Sequence, residues 1–417
     1  MPYIPRIVDS EIRLGLESAG VVVVEGPKAC GKTESALQVA ESVVRLDIDQ
    51  AARAAAQVDP SLVLDGPAPR LIDEWQVEPG LWNHARHLVD QRQLHGQFIL
   101  TGSAVPDDDI ARHTGAGRFT FVRMRPMSLA EGGWGTSEVS LGELMDGVAP
   151  ASGSARWSIP ELSEYLVRGG WPAQRDATVS AASRAARDYL RQVCEVDVAR
   201  LAGNRRDPLK VGRLVASLAR NTATEASLAT LVRDTGGPDA QLARDTVSSY
   251  LEALTRVMVI EDQPAWAPHL RSSTPMRQAP TRHFVDPSLA LAALGATPAR
   301  VAGDLEFLGL LFESLVVRDL RILTQPLGGT VFHYRDKNGL EIDAVVQLAD
   351  GRWGAFEVKL GGDRHIEAGA ASLHRLAALV DPSRCGPPSI LAVITMSGYG
   401  YRRDDGIAVI PVRSLAP

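Results

Sequence analysis

The sequence predicts an α/β protein of several domains, and three observations carry that expectation. The chain has 417 residues, too many for one hydrophobic core, which suggests roughly three domains. Near its start, short β-branched runs alternate with stretches of helical spacing, the pattern of a sheet whose strands are joined by helices. Residues 303–417 read helix, three strands, helix, strand, strand.

The totals exclude several classes. Apolar residues make up 45% of the chain, which suits a packed protein rather than a disordered one. The longest apolar runs, Val21–Val24 and Ile390–Met396, fall far short of a membrane span. The opening residues lack a signal peptide's apolar core. Cys30, Cys194 and Cys385 are scattered, so neither a disulfide framework nor a zinc site is expected, and the chain is expected in the reducing cytoplasm. The net charge of −6 is no nucleic-acid signature, although residues 200–300 hold 13 Lys and Arg against 9 Asp and Glu.

The first strand, Val21–Val24, opens into Gly26-Pro27-Lys28-Ala29-Cys30-Gly31-Lys32-Thr33, and Glu34 begins a stretch of helical spacing. Strand, glycine loop and helix in that order form a phosphate cradle, because consecutive N–H groups and the helix N-terminus converge on an anion. Lys32 can reach the β/γ-phosphates and the Thr33 hydroxyl can ligand Mg2+. Residues 26–34 are therefore the candidate nucleotide-binding set, and Cys30 reads as a small residue that fits the loop.

Val43–Asp49 is a plausible second strand. Arg70-Leu71-Ile72-Asp73-Glu74 reads as a strand ending in two acids, with Asp73 for the Mg2+ shell and Glu74 to polarise the attacking water. His84, His87 and His95 follow in or beside a helix and read as surface or packing residues. Gln97–Ser103 is another strand, whose Thr101 or Ser103 could sense the γ-phosphate. Arg118, before the strand Phe119–Met124, is either an arginine finger or sensor, or a plain surface arginine.

These motifs in order, "GPKACGKT", "LIDEWQ", "FILTGS", "GAGR", "FVRMRPMSLAE" and "YLVRGGWP", resemble the bacterial and archaeal AAA-type P-loop ATPases with a C-terminal domain of unknown function similar to PD-(D/E)XK nucleases. The resemblance covers nearly the whole chain. It implies ATP hydrolysis with Mg2+, and an ATPase core of strand order 5-1-4-3-2 over residues 1–147. It also implies assembly into a homo-oligomer, in which an arginine of one copy can complete a neighbour's site.

Residues 148–202 read as a Gly/Ala/Ser/Pro-rich linker and a helical lid packed on the nucleotide domain, with Arg187, Arg191 and Arg200 within reach of nucleotide. In residues 203–298, helices at Leu209–Arg220, Glu225–Asp234 and Ala240–Leu254 precede two strand-like pieces, Val257–Ile260 and Arg282–Val285. A basic loop with Arg271 and Arg277 separates them. This reads as a winged helix, either a DNA reader through Arg244, Thr246, Ser248 and Ser249 or a rigid docking element, since Asp239, Asp245 and Glu252 share that helix.

In the tail, residues 299–417, Glu341-Ile342-Asp343 and Glu357-Val358-Lys359 lie on predicted strands. Alternation puts Glu341 with Asp343, and Glu357 with Lys359, on shared faces. Adjacent carboxylates repel unless a cation intervenes, and Mg2+ or Mn2+ resolves that repulsion. Asp343 followed 14 positions later by Glu-x-Lys, in an αβββαβ order, matches a restriction-endonuclease-like fold, with Glu313 as an additional helix acid. The expectation is metal-assisted cleavage of DNA by Asp343, Glu357 and Lys359. The alternative is a regulatory nucleotide switch whose tail is a non-catalytic interaction domain.

Overall fold

In the computed structural model the described residues are 2–103, 114–198, 207–236, 242–268 and 278–417; Arg200, Asp239, Arg271 and Arg277 lie outside them. There are two units: Met1–Pro126 with the short piece Arg256–Met258, and Met127–Thr255 with Val259–Pro417.

The first unit contains α1 (Asp9–Ser18), β1 (Val21–Glu25), α2 (Lys32–Leu37), β2 (Ser42–Arg45), α3 (Gln50–Val58), α4 (Ser61–Leu64), β3 (Arg70–Asp73), α5 (Leu81–Arg92), β4 (Phe98–Gly102) and β5 (Phe119–Arg123). Strand side chains alternate, and the valines of β1 show it. Val21 and Val23 join Leu46, Trp75, Trp82 and Leu100 in one cluster. Val22 and Val24 join Ile12, Ala36, Ile99 and Val122 in another. Both faces are therefore covered, as an all-parallel sheet requires. Burying each valine contributes about 1.5–3 kcal/mol. The sheet runs β2-β3-β4-β1-β5, the expected 5-1-4-3-2 order read from the other edge. Parallel register sets Val24 and Asp73 each against Thr101, so the ends of β1, β3 and β4 lie side by side.

The second unit begins at Met127. Its elements are β6 (Val139–Ser140), α6 (Leu141–Met145), β7 (Ser152–Ala155), α7 (Ile159–Arg168), α8 (Val179–Gln192), α9 (Pro208–Arg220), α10 (Leu228–Asp234), α11 (Arg244–Arg256), α12 (Pro287–Ala293), α13 (Pro298–Ala302), α14 (Leu305–Thr324), β8 (Thr330–Arg335), β9 (Glu341–Gln347), β10 (Trp353–Lys359), α15 (Asp363–Leu379), β11 (Ile390–Thr395), β12 (Gly398–Arg402), β13 (Ala408–Pro411) and β14 (Leu415–Ala416). The expected αβββαβ order is present and sits inside a seven-stranded sheet, β7-β12-β13-β11-β10-β9-β8. Its outermost strand, β7, comes from the stretch expected to be a linker. Ser152-Gly-Ser-Ala has no β-branched or aromatic residue to signal a strand, and pairing with β12 makes it one. The last strand, β14, pairs with β6 in the same way, far from it in sequence.

The expected lid helices α7 and α8 pack on α12, and α7 also on α13 and α14, all within this unit. An ionic centre holds that packing. Arg318, 2% exposed, donates to Asp286 at 2.7 Å, to Asp319 at 2.7 Å and to the Tyr165 hydroxyl at 3.0 Å. The Gly170 N–H donates to Asp286 Oδ2 at 2.9 Å and Trp171 Nε1 to Ser288 Oγ at 3.0 Å, which accounts for the Gly-Gly-Trp run as packing chemistry. The expected middle helices form as α9, α10 and α11. Among the described residues the two strand-like pieces after them meet through an isolated bridge of Ile260 with Phe284, and Gln263 bridges Thr281 just beyond them.

Candidate functional site

The first site lies at the C-terminal ends of β1, β3 and β4. Gly31 precedes α2 with φ +106, in the left-handed region that glycine takes without strain. A Cβ on Gly26 would meet the Met124 carbonyl oxygen at 2.2 Å, so glycine alone permits that approach. Lys32 Nζ donates to the carbonyls of Gly26 at 3.0 Å and Pro27 at 2.9 Å. Lys28, Ala29 and Glu34 are exposed around the loop, whereas Pro27 and Cys30 are buried. Cys30 is thus a packing residue.

The Thr33 hydroxyl donates to Asp73 Oδ1 at 2.8 Å, and the Thr101 hydroxyl donates to the same oxygen. Hard oxygen donors meeting beside a phosphate loop fit Mg2+, and Thr33 and Asp73 would hold it. Glu74 follows with φ +54, a conformation that costs a non-glycine residue about 1–3 kcal/mol. Its Oε2 accepts from Gln76 Nε2, and Ser103 Oγ lies 3.4 Å away. The carboxylate is therefore aimed by its neighbours.

Arg118 is not brought to this loop. It stands exposed at the start of β5, where Phe119 pairs with Val21, whereas the loop follows Glu25 at the other end of β1. Its guanidinium donates to Asp90 at 2.7 Å. At the loop end of the same strand Arg123 pairs with Glu25 at 3.2 Å, a residue the sequence reading passed over. His84, His87 and His95 are exposed, as expected.

The second site is built by β9, β10 and α14. Antiparallel pairing of Phe356 with Ala344 and Ala355 with Val345 carries on to bring Glu357 opposite Asp343. Lys359 Nζ lies 2.6 Å from Glu357 Oε2 and 3.2 Å from Asp343 Oδ2, so one ammonium bridges both acids. The Val358 N–H donates to Asp343 Oδ2 at 2.7 Å. Burial and Asp343 push the Glu357 carboxyl up to about 8. Burial and the same neighbour hold Glu313 well above the usual carboxylate range. Burial disfavours the Lys359 cation, but Asp343 and Glu357 outweigh it and hold its ammonium above the ordinary lysine value.

Glu341 departs from the expectation: it is exposed and pairs with Arg335 at 3.2 Å. The ligand set Glu313, Asp343 and Glu357 is not assembled either. Among the described residues no group of three or more His, Cys, Asp and Glu is placed to hold a metal ion. One oxygen still lacks a partner: Glu357, 3% exposed, leaves Oε1 buried without a hydrogen bond, and Thr395 Oγ1 on the adjoining β11 is in the same condition.

A buried relay braces this site and was not legible in the sequence. Gln263 Nε2 donates to the carbonyls of Phe332 at 2.9 Å and Asp343 at 3.0 Å. Its Oε1 therefore accepts from His283 Nε2 at 3.0 Å. Burial, first of all, keeps His283 neutral, so its Nδ1 accepts from the Ser314 hydroxyl at 3.1 Å, next to Glu313. On α11, Arg244 and Ser248 are exposed while Val247, Tyr250, Leu251 and Leu254 turn inward.

Comparison with known proteins finds a match over the stretch that holds the first site. Residues 18–132 match the model of an AAA domain. That stretch is similar to an AAA domain and contains the phosphate loop and the Thr33–Asp73 contact. Residues 159–300 and 308–415 match two models described as domains of unknown function, DUF8612 and DUF4143. The uncharacterized proteins Rv2008c of Mycobacterium tuberculosis and Mb2031c of Mycobacterium bovis are each 26% identical over 98% of this chain and 84% of their own length. Among solved structures, the Walker-type ATPase PABY2304 of Pyrococcus abyssi aligns with a TM-score of 0.42 at 12% identity, over 69% of this chain and 94% of its own. A DNA replication initiation factor aligns with a TM-score of 0.25 at 14% identity, over 60% and 86%. Among the described residues no helix is long and apolar enough to cross a membrane.

Proposed function

We propose that this chain is an ATP-hydrolysing enzyme whose second unit carries a metal-dependent, nuclease-like centre acting on DNA. In the first unit Lys32 holds the terminal phosphates, Thr33 and Asp73 carry the Mg2+ shell, and Glu74 orients the attacking water. The observation that carries the second half is the meeting of Asp343 and Glu357, from adjoining strands, on one ammonium, with Glu357 Oε1 still unpartnered. Those two carboxylates would hold Mg2+ or Mn2+, which supplies an activated water and charge stabilisation on the phosphodiester. Lys359 would then turn to the scissile phosphate, and Glu313 would serve as a reserve acid beside the pair. The reading includes copies of the chain assembling in the cytoplasm, with DNA as partner.

A second reading has its own observation. Lys359 already neutralises Asp343 and Glu357 at 3.2 and 2.6 Å, as a structural ion cluster would. On that reading the tail binds a partner without cutting, and the first unit is a nucleotide switch. The two separate in one experiment with purified protein on supercoiled, linear, branched and single-stranded DNA, with Mg2+ or Mn2+, with and without ATP. Cleavage that Asp343→Ala abolishes supports the nuclease-like centre. No cleavage of any substrate, or equal cleavage by Asp343→Ala, removes it.

A further inference from the structure

The phosphate loop is braced by residues that precede the first strand and lie outside its motif. Arg6, 7% exposed, donates from Nη1 to the Cys30 carbonyl at 2.8 Å and from Nη2 to the Arg125 carbonyl at 2.9 Å. Its backbone N–H donates to Asp9 Oδ2 at 2.8 Å. Asp9 also accepts from the Tyr3 hydroxyl at 2.7 Å, and that hydroxyl lies 2.9 Å from Ser35 Oγ on α2. Tyr3, Arg6 and Asp9 thus form a bracket that touches the loop, its helix and Arg125, two residues after β5.

The bracket acts on the peptide that matters most for an anion. A trans peptide is planar, with its C=O and N–H pointing in opposite directions. Holding the Cys30 carbonyl on Arg6 therefore turns the Gly31 N–H away from Arg6. Gly31, at φ +106, has no side chain to fix its own orientation, so the tether at Cys30 does so instead. Oriented N–H groups are what grip a phosphate in such a loop.

We propose that Arg6 is a positioning residue for nucleoside triphosphate binding, acting through the Cys30–Gly31 peptide, with Asp9 and Tyr3 holding Arg6 in place. This rests on the reading of the loop as the nucleotide site. The test measures binding of fluorescent ATP and ADP analogues, and steady-state kinetics, on the full chain. Arg6→Met is expected to raise Kd and KM by about tenfold or more while kcat at saturation changes by less than about threefold, because misplaced donors weaken binding before they alter the chemical step. Arg6→Lys keeps a donor and is expected to recover part of the affinity, which a merely destabilising change would not do. A folded Arg6→Met that binds within twofold of wild type overturns the proposal. If Arg6→Met does not fold, Tyr3→Phe decides: a rise in Kd of about threefold or more supports the bracket, and wild-type affinity overturns it. Wild-type protein that binds no nucleotide overturns the reading of the loop itself, a different result from wild-type binding that Arg6→Met leaves unchanged.

Discussion

Thr33 donates its hydroxyl to Asp73 across 2.8 Å, joining two residues 40 positions apart in sequence. That contact exists because β1 and β3 both flank β4 in parallel register, so whatever ends one strand lies beside what ends the others. Three short sequence signals become one pocket by this topology.

Beside that pair, Glu74 is held in the left-handed region and its carboxylate is bound by Gln76. A residue kept there at a cost in conformational energy is one whose direction matters. Glu74→Gln keeps the shape and removes the base. It is expected to lower kcat by about 10²–10⁴-fold while ATP binding stays within a few fold, as read by single-turnover hydrolysis beside equilibrium binding. Loss of binding with kcat intact would assign Glu74 a different role.

Arg318 stands between Asp286 and Asp319 in the second unit, with all three buried. Arg318→Met leaves two carboxylates without their cation and is expected to destabilise that unit by about 3–5 kcal/mol. Calorimetry reads this as a lowered midpoint for the unit's transition. A midpoint unchanged from wild type would show the ionic centre to be dispensable.

The buried imidazoles of the same unit work against its stability in acid. Burial is the main cause that holds His283 well below 6.5 and brings His333 down to about 4. The unfolded chain therefore takes up these protons first, and stability falls as pH drops below 6.5, for His333 until about 4. Each imidazole contributes up to about 1.4 kcal/mol per pH unit over its window. Glu357, lifted to about 8, pulls the opposite way between 4.5 and that value. The difference between wild type and the double variant His283→Gln/His333→Gln isolates the imidazoles, since Glu357 is common to both. Denaturant midpoints from pH 7.5 to 4.5 should fall less steeply for the variant; parallel curves would contradict the assignment.

What was legible in the sequence was whatever side-chain pattern dictates. Val21–Val24 announced a strand buried on both faces, and the glycine spacing announced the loop. Period-two alternation brought Glu357 and Lys359 to one side of β10. What pattern does not encode was missed. Ser152–Ala155 is a strand because of the backbone of β12, not because of its own side chains. Leu415–Ala416 pairs with Val139–Ser140, a partner far from it in sequence. Arg118 carried the right chemistry but stands at the far end of its strand, a fact of register invisible in one dimension. Arg6 lay outside every motif, yet its guanidinium reaches the loop carbonyl.

The most direct test of the account is phosphate release from ATP by the purified chain with Mg2+, wild type beside Lys32→Ala and Asp73→Asn. Wild type is expected to turn ATP over, and both variants to fall by about 10²-fold or more, since Lys32→Ala removes the cation on the terminal phosphates and Asp73→Asn weakens the hold on Mg2+. Equal turnover in wild type and either variant would contradict the central claim that this pocket performs the hydrolysis.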